Sequence, residues 1–238
     1  MTAPDSANGL VIQGFTPPLA LADFRLIAFD MDSTLINIEC IDEIADAAGR
    51  KAEVAAITEA AMRGEITDFK DSLRRRVALL AGVPATALQA VLDERLRLNP
   101  GADVLLRTCR EAGLKTLLVS GGFTFFADAV RERLQIDAAR SNVLEVVDGH
   151  LTGRLVDQPW GDICDGEEKK RTLLAMCAEH GFEPRQAIAV GDGANDLPMM
   201  GAAGLSVAYH AKPKVRAQAM VSINEGGLDR LLEVVRPT

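Results

Sequence analysis

The sequence is poor in aromatic residues and has no apolar run long enough to cross a membrane. Phe, Trp and Tyr make up 4 % of the 238 residues, whereas 48 % are hydrophobic, which predicts an aliphatic core in a soluble protein. A membrane-spanning helix needs about 20 consecutive apolar residues, and no run approaches that length. The chain is long enough for one large domain or for a domain with an insertion.

Paired cysteines, a secretory signal and an excess of positive charge are also missing. The four cysteines include no C-x-x-C pair, which disfavours disulfides and structural zinc. Residues 1–23 contain no basic residue and carry Pro17-Pro18, so they lack the pattern of a secretory signal, and we expect a cytoplasmic protein. The formal charge of −8 repels nucleic acid and anionic membranes. We therefore expect a small-molecule partner, no nucleic acid and no membrane.

Two acids follow a short apolar run near the start of the chain. The run 26–29 shows no polar alternation, which is typical of a strand buried on both faces, and Asp30 and Asp32 come next. Residues two apart in an extended chain point the same way, so the two carboxylates share one space. At about 4 Å they repel by about 4 kcal/mol at an effective dielectric constant near 20. A fold that keeps both carboxylates in one space needs a bound cation, a proton shared between them or a reaction in which they take part. A role as a helix cap would explain only one of the two carboxylates.

The pattern along the chain predicts an α/β fold with a doubly wound parallel, Rossmann-like sheet. Residues 1–22 are predicted to form a loose lead-in with at most one short edge strand. Apolar residues three and four apart over residues 39–98 predict an inserted helical cap, and residues 23–38 and 99–238 then form the core. Alternation around Asp148-Gly149 predicts a small β-hairpin flap, and a closing helix is predicted over residues 228–235.

Two further apolar runs of this core end in polar residues. The run 116–119 precedes Ser120-Gly121-Gly122, and the run 187–190 leads through Gly191 to Asp192. The carboxyl ends of parallel strands meet at one edge of a sheet, where open α/β folds bind their ligands. The sequence therefore places its reactive groups at one edge.

These groups suit a metal ion and a phosphate. Four aspartates offer oxygen ligands without sulfur or imidazole, which favours Mg²⁺ over Zn²⁺: Asp30, Asp32, Asp192 and Asp196. Ser120 with the amides of Gly121 and Gly122, at a predicted helix start, suits a bound anion. Lys169 and Lys170 open another predicted helix, and either one can neutralise a phosphoryl oxygen.

A carboxylate nucleophile, a phosphate cradle and a second carboxylate suffice for two-step phosphoryl transfer. Asp30 attacks phosphorus and forms an aspartyl phosphate. Asp32 protonates the departing alkoxide and then takes a proton from the water that hydrolyses the intermediate. That role needs Asp32 protonated near neutral pH, and we expect Asp30 and the incoming phosphate to raise the pKa of Asp32 in that direction.

Four motifs in this order resemble the haloacid dehalogenase superfamily of phosphatases. They are Asp30-Met-Asp32-Ser33-Thr34, Ser120-Gly-Gly, a lysine at a helix start, and Gly191-Asp192-Gly193-Ala-Asn195-Asp196. Within that superfamily, three segments resemble the phosphoserine phosphatases: Glu39-Cys-Ile-Asp-Glu43, Arg74-Arg-Arg76-Val and Ser120-Gly-Gly-Phe123. This resemblance implies hydrolysis of O-phospho-L-serine, the last step of serine biosynthesis, by a magnesium-dependent enzyme.

The resemblance also implies the role of each site residue. Asp30 is the nucleophile, Asp32 the acid and base, and Mg²⁺ binds to Asp30, the backbone carbonyl of Asp32 and Asp192. The phosphate lies against Ser120, Gly121, Lys169 and Asn195, and Asp196 supports the metal. The substrate's ammonium and carboxylate meet Glu39 and Arg76, and Met62 and Phe69 are apolar contacts of the cap.

Two other functions fit the same residues. A phosphatase or phosphotransferase for another small phosphate ester would keep the core and differ in the cap. A non-enzymatic phospho-acceptor switch also arranges an aspartate, further acids, a hydroxyl and a lysine around Mg²⁺. The second acid at Asp32 and an insertion of about 60 residues that can exclude water argue against the switch.

Overall fold

The computed structural model describes residues 9–62 and 66–237, and the side chains among them except those of residues 61 and 62. The strands are β1 Leu10–Ile12, β2 Leu19–Ala20, β3 Leu26–Phe29, β4 Lys115–Phe123, β5 Ala138–Val147, β6 His150–Val156, β7 Ala187–Gly191, β8 Leu205–Tyr209, β9 Val221–Ile223 and β10 Val235–Arg236. The helices are α1 Cys40–Ala47, α2 Lys51–Met62, α3 Phe69–Ala78, α4 Thr86–Ala90, α5 Ala102–Glu111, α6 Thr124–Leu134, α7 Gly166–His180, α8 Leu197–Ala202 and α9 Pro213–Arg216. Within this part of the chain, no helix combines the length and apolarity that crossing a membrane requires.

The main sheet has eight strands in the order β1-β9-β8-β7-β3-β4-β5-β6. The strands from β9 to β5 run parallel to their neighbours, and the two outer pairs, β1 with β9 and β5 with β6, are antiparallel. Strand order reverses at β3, which lies between β7 and β4. The predicted doubly wound, Rossmann-like α/β fold is confirmed.

Strand β3 is buried on both faces, which explains its unbroken apolar run. Ile27 and Phe29 pack into one core cluster, and Leu26 and Ala28 pack into the other. All four side chains are fully buried. Since helices cover both faces of the sheet, no position in this strand tolerates the polar alternation of a half-exposed strand.

The helices α1 to α4 lie between β3 and β4 in the chain. The chain enters and leaves this helical segment at neighbouring points, because Ile36 pairs with Leu98 in an isolated antiparallel bridge. The Asn99 side-chain amide donates to the carbonyl oxygens of Thr34 and Ile36, at 2.8 and 3.0 Å. These contacts support our proposal that residues 39–98 form a cap inserted into a core of residues 23–38 and 99–238.

The predicted hairpin flap is present, and it forms backbone hydrogen bonds both with the main sheet and with the cap. Asp148 and Gly149 have φ values of 48° and 74°, as a two-residue hairpin turn requires. The first half of β5 pairs with β4, so the flap extends the main sheet. Strand β6 also binds the cap, since the amide of Gly82 donates to the Leu151 carbonyl and that of Leu151 to the Val83 carbonyl, both at 2.8 Å.

Two terminal predictions differ from the structure. The sequence predicts a loose lead-in over residues 1–22 with at most one short edge strand around Leu10 to Gln13. That strand is present as β1, paired with β9 at the sheet edge, but the lead-in also contains β2, paired with β10. The predicted closing helix over residues 228–235 is a 3₁₀ helix, Leu228–Glu233, and is followed by β10. Both differences arise from pairings between residues about 200 positions apart, which local periodicity does not register.

Candidate active site

The end of β3 delivers the first two acids through a tight turn. Asp30 and Asp32 both have extended backbones, and Ser33 adopts the left-handed conformation with φ 56°. Such a conformation costs about 1–3 kcal/mol for a residue other than glycine. It is held by two hydrogen bonds, from the Ser33 amide to the Ile38 carbonyl at 3.1 Å and from the Ser33 hydroxyl to Glu39 Oε1 at 2.7 Å. The turn therefore fixes where the Asp32 carboxylate lies.

Lys169 joins Asp30 to Asp196 inside the protein. Its side chain is fully buried, and Nζ donates to Asp30 Oδ1 at 2.8 Å and to Asp196 Oδ1 at 2.6 Å. Burial alone would lower the pKa of Lys169, but the charges of Asp196 and Asp30 reverse that effect and raise it. Lys169, rather than Lys170, reaches the acids because Asp165 caps α7 and sets its first turn, accepting from the Glu168 amide at 2.9 Å.

Asp192 and Asp196 approach each other at the end of β7. Asp196 Oδ2 accepts from the amides of Asp192 and Gly193, at 3.1 and 3.0 Å. Gly191 has no room for a side chain, since a Cβ there would lie 2.4 Å from the Asp196 carboxyl carbon. Burial, and then the charge of Asp196, raise the pKa of Asp192 to about 7. With the bond from Lys169, three hydrogen bonds hold the Asp196 carboxylate and orient it as a support for the site.

This acidic cluster fits a divalent metal ion. One carboxylate oxygen each from Asp30, Asp192 and Asp196 lies within 4.8 Å of the others. Burial first, and then Asp196, raise the pKa of Asp30, while Lys169 opposes them. Buried carboxylates this close repel one another, and a divalent cation relieves that repulsion. The donors are hard oxygens, as ions of the Mg²⁺ and Ca²⁺ class require.

Asp32 has the raised pKa that an acid catalyst needs. Burial, followed by the charge of Glu39, raises the pKa of Asp32 to about 8. The expected direction is therefore correct, but the expected cause is different: the nearby acid with the largest effect is Glu39, which the turn at Ser33 brings close. Asp32 Oδ1 is buried and, within the described residues, has no hydrogen-bond partner.

The segment Ser120-Gly121-Gly122 lies in the last residues of β4 and directly precedes α6, close to the predicted helix start at about Phe123. Strand β4 continues to Phe123, and α6 begins only at Thr124. The buried Ser120 hydroxyl accepts from the Gly122 amide at 2.9 Å, so one of the predicted anion-binding amides is engaged. Gly121 lies directly beneath the cap, because a Cβ there would be 2.9 Å from the Phe69 ring.

A cavity of about 860 Å³ opens between the cap and this edge of the sheet. Ten of the predicted site residues line it: Asp30, Asp32, Glu39, Phe69, Arg76, Ser120, Gly121, Gly122, Asp192 and Asn195. Lys169 does not line it, and lies behind Asp30 and Asp196. The geometry thus favours a role for Lys169 in holding the Asp30 carboxylate over the predicted direct contact with phosphate.

The cap contributes Arg76 and Glu39 to the cavity. Arg76 is the one arginine of the Arg74-Arg-Arg76 segment that faces the cavity, since Arg74 binds Asp162 and Arg75 binds Asp71. Burial lowers the pKa of Arg76, and the charges of Asp42, Glu39 and Asp32 act against that effect. The Glu39 side chain is exposed. Phe69 packs over Gly121 as expected, and the side chain of Met62 lies outside the described residues.

Ion pairs hold the cap against the core beside the cavity. From α3, Lys70 Nζ contacts Asp162 Oδ1 at 2.7 Å and Asp165 Oδ2 at 3.6 Å. Arg74 also contacts Asp162, at 2.5 Å. Asp165 is the N-cap residue of α7. The contact from Lys70 to Asp165 therefore links the inserted cap segment to the helix that carries Lys169. The structure therefore has the cap closed on the core.

Asp42 and Lys212 also line the cavity, although neither is among the site residues predicted from the sequence. Asp42 follows Glu39 by three positions in Glu39-Cys-Ile-Asp-Glu43, a spacing that places both on one helical face, so the signal was present. Lys212 lies in a loop after β8, where its amide donates to the Asp192 carbonyl at 3.2 Å. No local pattern distinguishes that lysine from a surface residue.

The fold and the edge cluster define a class of enzymes. A family model for haloacid dehalogenase-like hydrolases matches residues 27–201. The match extends from β3 into α8 and includes every strand that carries a cavity acid. The chain belongs to this family of hydrolases.

Relatives over the full length are phosphoserine phosphatases. The chain is 71 % identical to the phosphoserine phosphatase of Polaromonas sp., over 99 % of this chain and 100 % of the relative. It is 69 % identical to that of Albidiferax ferrireducens, over 97 % and 98 % of the two chains. A solved structure of a phospho-aspartyl intermediate analogue of phosphoserine phosphatase is similar with a TM-score of 0.82 and 37 % identity, covering 90 % of this chain and 99 % of that chain.

Proposed function

We propose that this enzyme hydrolyses O-phospho-L-serine to serine and phosphate through an aspartyl phosphate on Asp30. One observation carries the proposal: one cavity is lined by Asp30 and Asp32 on the core side and by Arg76 on the cap side. A ligand that spans the cavity therefore presents a phosphate at one end and a carboxylate at the other. Phosphoserine has that form, and the relatives of high identity are named for its hydrolysis.

The reaction starts with attack by Asp30 on phosphorus. Both hydrogen bonds that Asp30 accepts within the described residues, from the Met31 amide at 2.7 Å and from Lys169 at 2.8 Å, end on Oδ1. Oδ2 is therefore the attacking oxygen. It forms a bond to phosphorus as the bond from phosphorus to the serine oxygen breaks, and the product is an aspartyl phosphate.

Asp32 moves the protons in both steps. With a pKa of about 8, its carboxyl group carries a proton at neutral pH and gives it to the departing serine alkoxide. The resulting carboxylate then takes a proton from the water that attacks the aspartyl phosphate, which releases phosphate and restores Asp30. The closed cap limits the entry of other water during this sequence.

The bound ion is Mg²⁺ in this proposal. Asp30, Asp192 and the backbone carbonyl of Asp32 would hold it, and Asp196 accepts hydrogen bonds from Lys169 and from the backbone amide of Asp192. When bound, Mg²⁺ neutralises negative charge shared between the carboxylates and the phosphate. The donor chemistry supports the choice, because the cluster offers carboxylate oxygens without sulfur or imidazole.

Removal of divalent metal abolishes phosphate release. Without a cation, the carboxylates of Asp30 and Asp192 and the substrate phosphate repel one another, so we expect turnover to fall to background after exhaustive chelation. Addition of Mg²⁺ restores it. Phosphate release is measured after EDTA treatment and desalting, with circular dichroism to verify that the fold persists. Full activity in metal-free protein would remove the metal from the mechanism.

Arg76 selects substrates that carry a carboxylate. Its Nε is buried without a hydrogen-bond partner in the described structure, so loss of the ligand carboxylate leaves the charge unpaired. This costs about 2–5 kcal/mol, which corresponds to about 30-fold to several thousand-fold. We expect wild-type kcat/KM to favour phosphoserine over phosphoethanolamine by that factor. We also expect phosphoserine to exceed phosphothreonine, glycerol phosphate and phosphoglycerate.

Arg76→Ala removes most of this preference, and Arg76→Lys fails to restore it because an ammonium cannot bind a carboxylate through two parallel hydrogen bonds. The matched control is Arg75→Lys, which makes the same arginine-to-lysine change at a neighbouring residue. Arg75 pairs with Asp71 at the surface. This control variant leaves the preference unchanged. Equal kcat/KM for phosphoserine and phosphoethanolamine in the wild type would replace the proposal with a general phosphatase of small esters.

A further inference from the structure

Three buried polar atoms face the same cavity without a hydrogen-bond partner in the described part of the chain. They are Asp32 Oδ1, Asp42 Oδ1 and Arg76 Nε, and all three residues line the cavity. A buried polar atom left without a partner costs about 1–3 kcal/mol. Because all three lie in residues that line one cavity, we infer that a bound ligand supplies the missing hydrogen-bond partners. Asp32 and Arg76 have roles in the proposed function, and Asp42 has none.

Asp42 and Arg76 are close but do not touch. Among the acids near Arg76, Asp42 has the largest effect on the pKa of the guanidinium, and Arg76 is the cation with the largest effect on the pKa of Asp42. Neither side chain forms an ion pair within the described residues, whereas Glu43, next to Asp42, pairs with Arg95 at 2.6 Å. Among the described residues, an anion and a cation that have no ion-pair partner therefore line the same cavity.

The ordinary structural role for an acid at this position is missing. Asp42 is the third residue of α1, where an acidic side chain commonly accepts from the backbone amide of the N-cap residue. The N-cap is Glu39, and α1 has no side-chain cap hydrogen bond. Its negative charge near the helix N-terminus is favourable, but only by about 0.3–1 kcal/mol. Helix capping does not account for a buried, unsatisfied oxygen.

We propose that Asp42 determines specificity by accepting a hydrogen bond from the substrate ammonium, while Arg76 binds the substrate carboxylate. This inference rests on the proposed function, since it assigns a residue to the amino end of phosphoserine. An α-amino acid carries an ammonium and a carboxylate on one carbon, which matches an acceptor and a donor placed side by side.

Glu39 alone does not explain recognition of the amino group. Its Oε1 already accepts from the Ser33 hydroxyl at 2.7 Å, and its side chain is exposed, so water weakens its attraction for a cation. Asp42 Oδ1 is shielded from water and has no competing donor among the described residues. The more deeply placed carboxylate therefore contributes more of the discrimination.

The test compares two substrates that differ only in the amino group, O-phosphoserine and 3-phosphooxypropanoate. In Asp42→Asn the shape remains and the negative charge is lost. We expect the ratio of their kcat/KM values to fall by about 10-fold to 100-fold, mainly through a higher KM for phosphoserine. Asp42→Glu, which retains the charge, keeps more of the ratio than Asp42→Asn does. Binding of L-serine, measured by calorimetry, weakens in Asp42→Asn by a similar factor.

The matched control is Glu43→Gln, which removes one negative charge from the same helical turn but outside the cavity. It leaves the ratio within about twofold of wild type, because Arg95 retains Asp46 as a partner at 2.5 Å. If Asp42→Asn lowers kcat/KM equally for both substrates, or leaves their ratio unchanged, the inference is wrong while the proposed function stands. If the wild type itself shows no preference for the amino group, the proposed function fails and the inference with it.

Discussion

Asp30→Asn reduces the turnover of O-phosphoserine to background. The amide has almost the shape of the carboxylate but lacks the negative charge and the nucleophilicity needed to attack phosphorus. Loss of a covalent nucleophile lowers kcat by at least about four orders of magnitude. Steady-state phosphate release at saturating substrate and Mg²⁺ measures the effect.

The variant is expected to fold, so the loss reports on chemistry. Lys169 keeps its hydrogen bond to Asp196 at 2.6 Å, and the carbonyl oxygen of the substituted side chain still accepts from Lys169. The matched control is Asp128→Asn on the exposed face of α6, which removes an equal charge and leaves kcat unchanged. Turnover close to that of the wild type in Asp30→Asn would be incompatible with covalent catalysis by this residue.

Asp32→Asn impairs the enzyme in a way that depends on the leaving group. A positioned acid contributes about 10²-fold to 10⁴-fold, and that contribution is needed most when the leaving group is a strongly basic alkoxide. Serine departs as an alkoxide, whereas p-nitrophenolate departs without help. We therefore expect the loss in kcat to be at least about ten times larger for phosphoserine than for p-nitrophenyl phosphate.

Single-turnover measurements separate the two steps for this variant. The rate of serine release reports protonation of the leaving group, and the rate of phosphate release reports activation of water. Asp32→Asn slows both for phosphoserine. Equal losses for the alkyl and the aryl phosphate would show that Asp32 acts on the phosphate or the metal rather than as the acid.

The parts of the site that the sequence predicts are those encoded at strand ends. Asp30 and Asp192 each end a short apolar run, so a parallel sheet necessarily brings them to one edge. The tight turn at Asp148-Gly149 is also local, and it folds as predicted. In each case the signal lies within about ten consecutive residues.

Features that depend on contacts between distant segments could not be predicted from local sequence patterns. Burial is the main cause of the raised pKa of Asp32, and the acid that adds most to it is Glu39 rather than Asp30, because the left-handed turn at Ser33 brings Glu39 close. The role of Asp42 requires α1 and α3 to border the same cavity, so that Asp42 and Arg76 both line it. Pairing of β10 with β2 joins the N-terminal and C-terminal segments, and the predicted closing helix therefore ends at Glu233.

Trapping the intermediate tests the central claim most directly. The wild-type enzyme is mixed with O-phosphoserine and Mg²⁺, quenched during the first turnover, reduced with borohydride and digested, so that an aspartyl phosphate is read by mass spectrometry as homoserine at the modified position. We predict modification at position 30, forming no more slowly than serine is released and decaying at least as fast as kcat. No modification there, modification at another aspartate, or a phosphorylated species that outlasts many turnovers would contradict covalent catalysis by Asp30.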